Sequence, residues 1–248
     1  MKKIKKISSF KSVLGVIPAR YASTRLPGKP LAEICGVPMV QRVYEAAQKA
    51  LPRVVVATDD VRVQNAVKSF GGEVLMTPTS CQSGTERMAF VAKKISATYY
   101  VNVQGDEPLI HPETISVAVK LAIKMRGIST AATTLGKEDQ TNPSAVKVIL
   151  GSDARAIYFS RTMIPYAAHG VTSVSPTYKH LGLYVYPRAV LLRFVGWKAT
   201  GLEQTEKLEQ LRALYYGEPI YVALTPHDSI GVDTPEDLAR VEKILKSF

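Results

Sequence analysis

The chain has 248 residues, of which 46% are hydrophobic and 21% are charged, values close to the average of soluble globular proteins. This composition excludes a disordered or fibrous chain, and no apolar run approaches the ~18 residues that a membrane span needs. The two cysteines, Cys35 and Cys81, form no CxxC pair, which argues against a disulfide framework and a zinc ribbon. We therefore expect a soluble, cytoplasmic protein.

Five of the charges in the net charge of +11 come from the N-terminus, where five lysines occur within the first twelve residues without any acidic side chain. Residues 1–12 lack the apolar stretch of a secretory signal, so we expect a basic, solvated tail. Contact with nucleic acid or an anionic membrane is the alternative, but the run is short and has no aromatic residues spaced to stack on bases. The remaining excess of +6 suits an enzyme that handles polyanionic small molecules.

Short β-branched runs alternate with segments whose apolar residues recur at helical spacing. The predicted strands are Val13–Ile17, Arg53–Ala57, Tyr99–Val103, Ser129–Thr134, Ala145–Leu150, His180–Tyr186 and Ile220–Leu224. The predicted helices are Met39–Ala50, Val61–Phe70, Glu86–Ala97, Glu113–Met125, Leu202–Tyr216 and a last helix that opens at Thr234. This alternation predicts an α/β fold with a mainly parallel sheet and helices on both faces. The small, polar residues 167–176 predict a mobile loop or the entry to a smaller subdomain.

A cluster of cations follows the first predicted strand, where ligands bind in folds of this class. Arg20, Arg25 and Lys29 lie within ten residues, together with two hydroxyls and a glycine. Forked arginine donors, a lysine point charge and exposed backbone N–H groups are the chemistry that binds a polyphosphate. The segment is not a Walker A loop, because Pro30 follows the lysine, and the chain contains no GxGxxG. A basic surface loop is the alternative, although three prolines favour a pre-shaped one.

Two carboxylates, Asp106 and Asp233, lie at the ends of other predicted elements. Asp106 comes after the strand Tyr99–Val103 and next to a glycine, and Asp233 lies just before the C-terminal helix. Two such carboxylates could together hold Mg²⁺, which takes one or two protein carboxylates and completes its shell with water and phosphate oxygens. For Asp233 the alternative is stabilisation of the dipole of the helix that follows.

The stretch IPARYASTRLPGKPL, residues 17–31, resembles the signature of the sugar nucleotidyltransferases. It is most similar to the branch formed by the 3-deoxy-manno-octulosonate (Kdo) cytidylyltransferases, whose NVQGDEP motif matches residues 102–108. The resemblance covers roughly residues 15–238. It implies a three-layer, Rossmann-like nucleotidyltransferase fold with a mixed, mainly parallel central sheet, as a single domain over residues 13–248. A subdomain for sugar binding or dimerisation is expected at about 160–200, together with a homodimer.

The resemblance also implies the reaction, in which CMP is transferred from CTP to the anomeric hydroxyl of Kdo with release of pyrophosphate, for lipopolysaccharide biosynthesis. Arg20, Arg25 and Lys29 would neutralise the triphosphate, and Asp106 and Asp233 would bind Mg²⁺. Further nucleotide contacts are expected from Ala19, Ser23, Gln82, Ser83, Gly84 and Gln104. The segment from Ser83 to Glu86 also reads as an ordinary capping box. Because no His or Glu stands out as a dedicated base, we favour activation of the sugar hydroxyl by the metal.

For the acid sugar, the resemblance implies contacts from residues in three later segments. These residues are Arg161, His180, Tyr184, Glu209 and Gln210. Each has a structural alternative: a salt-bridged arginine, a hydrogen-bonded core histidine or a solvated helix face. The remaining histidines show no metal-ligand spacing such as HExxH, so they receive no role.

Three other functions compete with this interpretation. A CMP synthetase for another acid sugar, such as sialic acid, would share the phosphate chemistry. A nucleic-acid-binding protein would place its cations in a stripe with aromatic residues, whereas they cluster here in one loop and one tail. A catalytically dead sugar-nucleotide sensor is disfavoured, because every expected catalytic position is filled.

Overall fold

The computed structural model describes residues 12–22, 26–168 and 176–247 of the chain. The expectations for the basic tail, for Ser23 and Arg25, and for most of the 167–176 loop therefore lie outside the described residues. The chain divides into two compact units, which are residues 1–112 with 230–248 (unit 1) and residues 113–229 (unit 2). The division into one domain with a subdomain at about 160–200 stays a prediction.

Unit 1 is built on a parallel sheet. Its elements are β1 (Val13–Pro18), β2 (Glu33–Ile34), β3 (Val37–Pro38), α1 (Met39–Ala50), β4 (Val54–Thr58), α2 (Val61–Ser69), β5 (Val74–Met76), α3 (Gly84–Lys94) and β6 (Tyr99–Val103). The sheet order is β6-β1-β4-β5, with every pair parallel, while β2 and β3 form a separate hairpin. All five residues of β4 are buried, as expected for a central strand that is covered on both faces.

Unit 2 contains a mixed sheet. Its elements are α4 (Pro112–Met125), β7 (Ile128–Thr134), β8 (Lys147–Leu150), β9 (Ala156–Ser160), β10 (Thr177–Pro187), α5 (Arg188–Phe194), α6 (Gly201–Glu206), α7 (Leu211–Tyr215) and β11 (Ile220–Leu224). The strand order is β11-β7-β10-β8-β9, in which β11 and β7 are parallel and the other pairs are antiparallel. No helix among the described residues has the length and apolar character required to cross a bilayer.

The C-terminal segment returns to unit 1 and ends in α8 (Pro235–Leu245). Ile34, Met39, Val232 and Val241 form a fully buried cluster there. The backbone N–H of Val232 also donates to the carbonyl of Asp106, with 2.8 Å between the two atoms. Burial of Val232 thereby fixes the residue that follows it, Asp233, beside the loop that leaves β6.

The predicted strands and most predicted helices are confirmed within a few residues, but the helix Leu202–Tyr216 is wrong as a continuous element. The chain forms α6 and α7, with Lys207 between them in the left-handed region at φ 53°. A left-handed residue cannot continue an α-helix, so α6 ends at Glu206. The backbone at Lys207 is held by Arg161, whose guanidinium donates to its carbonyl.

Two elements of unit 2 were not predicted. They are the strand β9, which contains the segment from Tyr158 to Ser160, and the helix α5. Within the predicted strand His180–Tyr186, the pairing of β10 with β7 shifts register between Leu181 and Tyr184. The rings of His180 and Tyr184 nevertheless lie beside each other, with their centroids 5.3 Å apart.

Candidate active site

A cavity of about 360 Å³ opens in unit 1 at the carboxyl ends of β1 and β6. Seven of the predicted site residues line it: Ala19, Arg20, Lys29, Gly84, Gln104, Asp106 and Asp233. The other lining residues are Pro18, Ala22, Pro30 and Gly105. These four residues were not predicted as site residues, although all of them lie within the two motifs on which the family resemblance rests.

Gly105 is required where the two strand-exit loops meet. A Cβ atom built at this position would lie 2.7 Å from the carbonyl oxygen of Pro18, which is closer than real Cβ contacts. Only glycine lets the backbone after β6 approach the backbone after β1 so closely. Because of this close approach, Gln104 and Asp106 line the cavity beside the loop that follows β1.

The loop that follows β1 is closed on itself. The backbone N–H of Gly28 donates to the carbonyl of Tyr21 across 3.2 Å, and Gly28 adopts φ 70° at the start of a 3₁₀ turn, Lys29–Leu31. The guanidinium of Arg62 covers the ring of Tyr21, with 3.4 Å from its carbon to the ring centroid. Lys29 therefore reaches the cavity from a turn of fixed conformation. Arg20 also lines the cavity and is exposed.

The ammonium of Lys29 lies between the two predicted metal carboxylates. Its Nζ atom is 2.5 Å from Oδ2 of Asp106 and 2.9 Å from Oδ1 of Asp233. Burial, the largest single influence, lowers the pKa of Lys29, but the charges and hydrogen bonds of Asp106 and Asp233 together outweigh it and raise that pKa. Lys29 is therefore fully charged at neutral pH.

For the segment from Ser83 to Glu86 and for Asp233, the sequence also allowed a structural role at the start of a helix. Ser83 caps α3, since its Oγ accepts from the N–H of Glu86 across 3.2 Å. The guanidinium of Arg20 donates to the carbonyl of Gln82 across 3.2 Å, which ties this segment to the loop after β1. The cap of α8 is formed by Thr234 and Asp237. The carboxylate of Asp233, the residue before this cap, accepts from Lys29.

In unit 2, Arg161 is held by backbone carbonyls. Its guanidinium donates to the carbonyls of Glu206 (2.7 Å), Pro143 (2.9 Å) and Lys207 (3.3 Å). These bonds use three of the five N–H groups of the guanidinium. They also fix the break between α6 and α7, a stretch from Lys207 to Gln210 that includes Glu209.

Lys147 supports the same region and was missed by the sequence analysis. Its side chain is fully buried, and Nζ donates to the carbonyls of Asn142 (2.7 Å) and Arg161 (3.0 Å). Burial is the main reason why its pKa is lowered. The sequence feature that could have revealed this role is the position of Lys147 within the otherwise apolar predicted strand Ala145–Leu150.

The ring of His180 packs against two aromatic rings, with its centroid 5.1 Å from that of Phe159 and 5.3 Å from that of Tyr184. Burial lowers its pKa to about 3, so the imidazole is neutral. The hydroxyl of Thr130 donates its one proton to the carbonyl of Leu183, and Nε2 of His180 must therefore donate to Thr130 Oγ across 2.9 Å. This tautomer leaves Nδ1 as an acceptor.

Gln210 is 7% exposed, and its Nε2 atom is buried with no hydrogen-bond partner among the described residues. A buried amide donor without an acceptor is costly unless a ligand supplies one. Glu209 lies next to it, with its carboxylate 3.8 Å from the guanidinium of Arg212. The two residues are thus placed one after the other at the start of α7.

Comparison with known proteins agrees with this geometry. Residues 14–220 match the family model described as cytidylyltransferase. A 3-deoxy-manno-octulosonate cytidylyltransferase of Aliivibrio fischeri strain MJ11 is 50% identical over 242 residues, covering 93% of this chain and 97% of that protein. The enzyme of the same name from Syntrophotalea carbinolica is 48% identical over 251 residues, covering 96% of this chain and 100% of that protein.

A solved structure of CMP:2-keto-3-deoxy-manno-octonic acid synthetase complexed with CTP superposes with a TM-score of 0.90 at 38% identity, covering 95% of this chain and 99% of that one. The predicted three-layer, Rossmann-like fold with a mixed, mainly parallel sheet is thus confirmed. The chain belongs to the cytidylyltransferase family and, within it, to the 3-deoxy-manno-octulosonate cytidylyltransferases.

Proposed function

We propose that this protein transfers CMP from CTP to the anomeric hydroxyl of Kdo, giving CMP-Kdo and pyrophosphate. The observation that carries the proposal is the cavity of unit 1, where Lys29, Asp106 and Asp233 converge at the ends of parallel strands. Relatives about 50% identical carry the name of this activity.

The nucleotide is bound by unit 1. Lys29 and Arg20 lie at the cavity and neutralise the triphosphate. Arg25 and Ser23, which lie outside the described residues, are expected to contribute from the same stretch of sequence. Ala19 and Gly84 line the cavity, and the N-terminal end of α3 at Ser83 and Gly84 adds positive helix-dipole potential. Gln82 and Gln104 supply amide groups for the base and the ribose.

Asp106 and Asp233 fit a divalent metal. Their oxygens already share one cationic nitrogen, and carboxylates are the hard ligands that Mg²⁺ prefers. When bound, Mg²⁺ supplies positive charge at the α-phosphate and lowers the pKa of a hydroxyl near it.

The sugar is bound by residues of unit 2. Two N–H groups of Arg161 remain for the sugar carboxylate after its three carbonyl bonds. Gln210 donates from its buried Nε2 to a sugar hydroxyl, and His180 accepts from another at Nδ1. Glu209 next to Gln210, and Tyr184 next to His180, complete the sugar contacts. These residues orient the anomeric hydroxyl.

The chemistry then consists of one in-line displacement. The anomeric oxygen forms a bond to the α-phosphorus, the bond from the α-phosphorus to the bridging oxygen breaks, and pyrophosphate leaves with that electron pair. The hydroxyl proton leaves to solvent. His180 is not its acceptor, because a group with a pKa of about 3 is a weak base at neutral pH. Positioning and charge neutralisation therefore dominate the catalysis.

The test is a pyrophosphate-release assay with CTP and Kdo, with and without Mg²⁺, beside ATP, GTP, UTP and sialic acid. We expect release only with CTP, Kdo and the metal. Release with sialic acid instead would retain the phosphate chemistry and overturn the sugar assignment. Folded protein that releases nothing with any pair would favour the sensor or the nucleic-acid-binding protein.

We also propose that the protein works as a homodimer in the cytoplasm, as its family resemblance implies. Sedimentation equilibrium at micromolar concentration tests the assembly, and a monomer that is fully active would refute it.

A further inference from the structure

Lys29 occupies the position where a cation would join the two carboxylates of unit 1. Its ammonium bridges Asp106 and Asp233, two residues from different loops, and its side chain is only 16% exposed. A lysine that serves only to attract phosphate from solvent would extend into the open cavity. Here it is turned toward the acidic side of the cavity.

The backbone around all three residues fixes this arrangement. Lys29 follows Gly28 in its left-handed conformation, Asp106 follows the tightly packed Gly105, and Asp233 follows the buried Val232. The carboxylates are therefore brought together by packing, whether or not a cation is present. Two carboxylates held so near each other repel unless a positive charge lies between them.

An ammonium and a divalent metal ion compete for the same oxygen atoms. Mg²⁺ requires oxygens at about 2.0–2.1 Å, so a metal ion shared by both carboxylates takes the place of the ammonium between them. Lysine is suited to leave, because its charge sits on a flexible four-carbon stem. A triphosphate in the cavity provides a new anionic partner for it within the same pocket.

We propose that Lys29 holds the metal position in the ligand-free protein, so that a divalent metal enters only together with a polyphosphate that draws the ammonium away. The inference rests on the proposed function, since it takes Asp106 and Asp233 as the metal ligands. It adds an order of binding: metal alone binds weakly, and metal with nucleotide binds well. The exchange keeps both carboxylates paired at every stage.

The test measures binding of Mn²⁺ alone to the nucleotide-free protein, with free Mn²⁺ followed by electron paramagnetic resonance. We expect Lys29→Met to bind one Mn²⁺ about tenfold or more tightly than the wild type, because the competing charge is gone. Lys29→Arg keeps the charge and should bind as weakly as the wild type. Lys49→Met, on the exposed face of α1, makes the same change in net charge and should have no effect.

An Mn²⁺ affinity of Lys29→Met equal to or below that of the wild type would overturn the proposal. Melting curves check that the variant is folded, and Lys29→Gln replaces it if it is not. In the double variant Lys29→Met/Asp106→Asn, the gained affinity should disappear. If it persists, the metal binds elsewhere, and both the exchange and the proposed metal site fail. If the wild type releases pyrophosphate while Lys29→Met gains no affinity, only the exchange fails.

Discussion

At the scale of single residues, Asp106 and Asp233 are the groups on which turnover should depend most. Asp106→Asn or Asp233→Asn removes a negative charge while preserving shape, so we expect a loss of about a hundredfold or more in kcat with the melting temperature little changed. Pyrophosphate release measures the effect. Asp153→Asn is the control, because its carboxylate pairs with Arg155 on the surface of unit 2. Near-normal turnover in both cavity variants would contradict the metal assignment.

His180 should make stability depend on pH. Its folded-state pKa is about 3, whereas an unfolded histidine titrates near 6.5. Below pH 6.5 the unfolded chain takes up a proton that the folded chain does not, so the free energy of unfolding falls as the pH drops toward 3. The contribution is at most about 1.4 kcal/mol per pH unit.

Urea unfolding between pH 7.5 and 4.5 measures this dependence, which should be shallower by about one proton in His180→Gln. His227→Asn is the matched control and should keep the slope of the wild type, because His180 is still present. An identical slope in His180→Gln would show that the imidazole does not resist protonation.

At the scale of elements, the ends of β1 and β6 are the critical contact. Gly105→Ala would place a methyl group 2.7 Å from the carbonyl oxygen of Pro18, so one of the two loops must move. We expect a loss of about 1–3 kcal/mol in the free energy of unfolding and a lower kcat, because Asp106 moves with the loop. Denaturant unfolding and the pyrophosphate assay measure the two effects.

Gly201→Ala is the control for this substitution. Gly201 is the first residue of α6, and a Cβ built there meets no atom within 4 Å. Stability equal to or slightly above that of the wild type is expected. A Gly105→Ala variant as stable and active as Gly201→Ala would refute the close approach.

The same scale explains the break between α6 and α7. Helical spacing of apolar residues continues through Leu208 and Leu211, so the pattern predicts one helix. The left-handed backbone at Lys207 opposes that pattern, and it is stabilised by carbonyl bonds from Arg161, which lies 46 positions earlier in the chain. Helical periodicity depends only on residues that are close in sequence, so it contains no information about a hydrogen bond between residues so far apart.

At the scale of the whole molecule, binding of nucleotide should stabilise the fold. A ligand that binds only the folded state at one hundred times its Kd adds about 2.7 kcal/mol to the free energy of unfolding. We expect CTP with Mg²⁺ to raise the melting temperature more than ATP, GTP or UTP at equal concentration. Differential scanning fluorimetry measures this rise, and Asp106→Asn should reduce it. Equal shifts with all four nucleotides would contradict recognition of cytosine by this protein.

Local sequence patterns are enough to predict the class of fold and the phosphate-binding chemistry of the loop after β1. Strand and helix periodicities are local properties, so segments such as Tyr99–Val103 and Met39–Ala50 are found at their predicted bounds. The cations after β1 and the carboxylate after β6 are likewise contiguous motifs, readable without coordinates.

Which of these groups come into contact depends on how the chain folds in three dimensions. Lys29 and Asp233 are 204 positions apart, and they come together because burial of Val232 carries the C-terminal segment back to unit 1. The neutral state of His180 and the buried ammonium of Lys147 also depend on neighbours that are remote in sequence. Burial and charge pairing act through space, and the order of residues along the chain does not encode those distances directly.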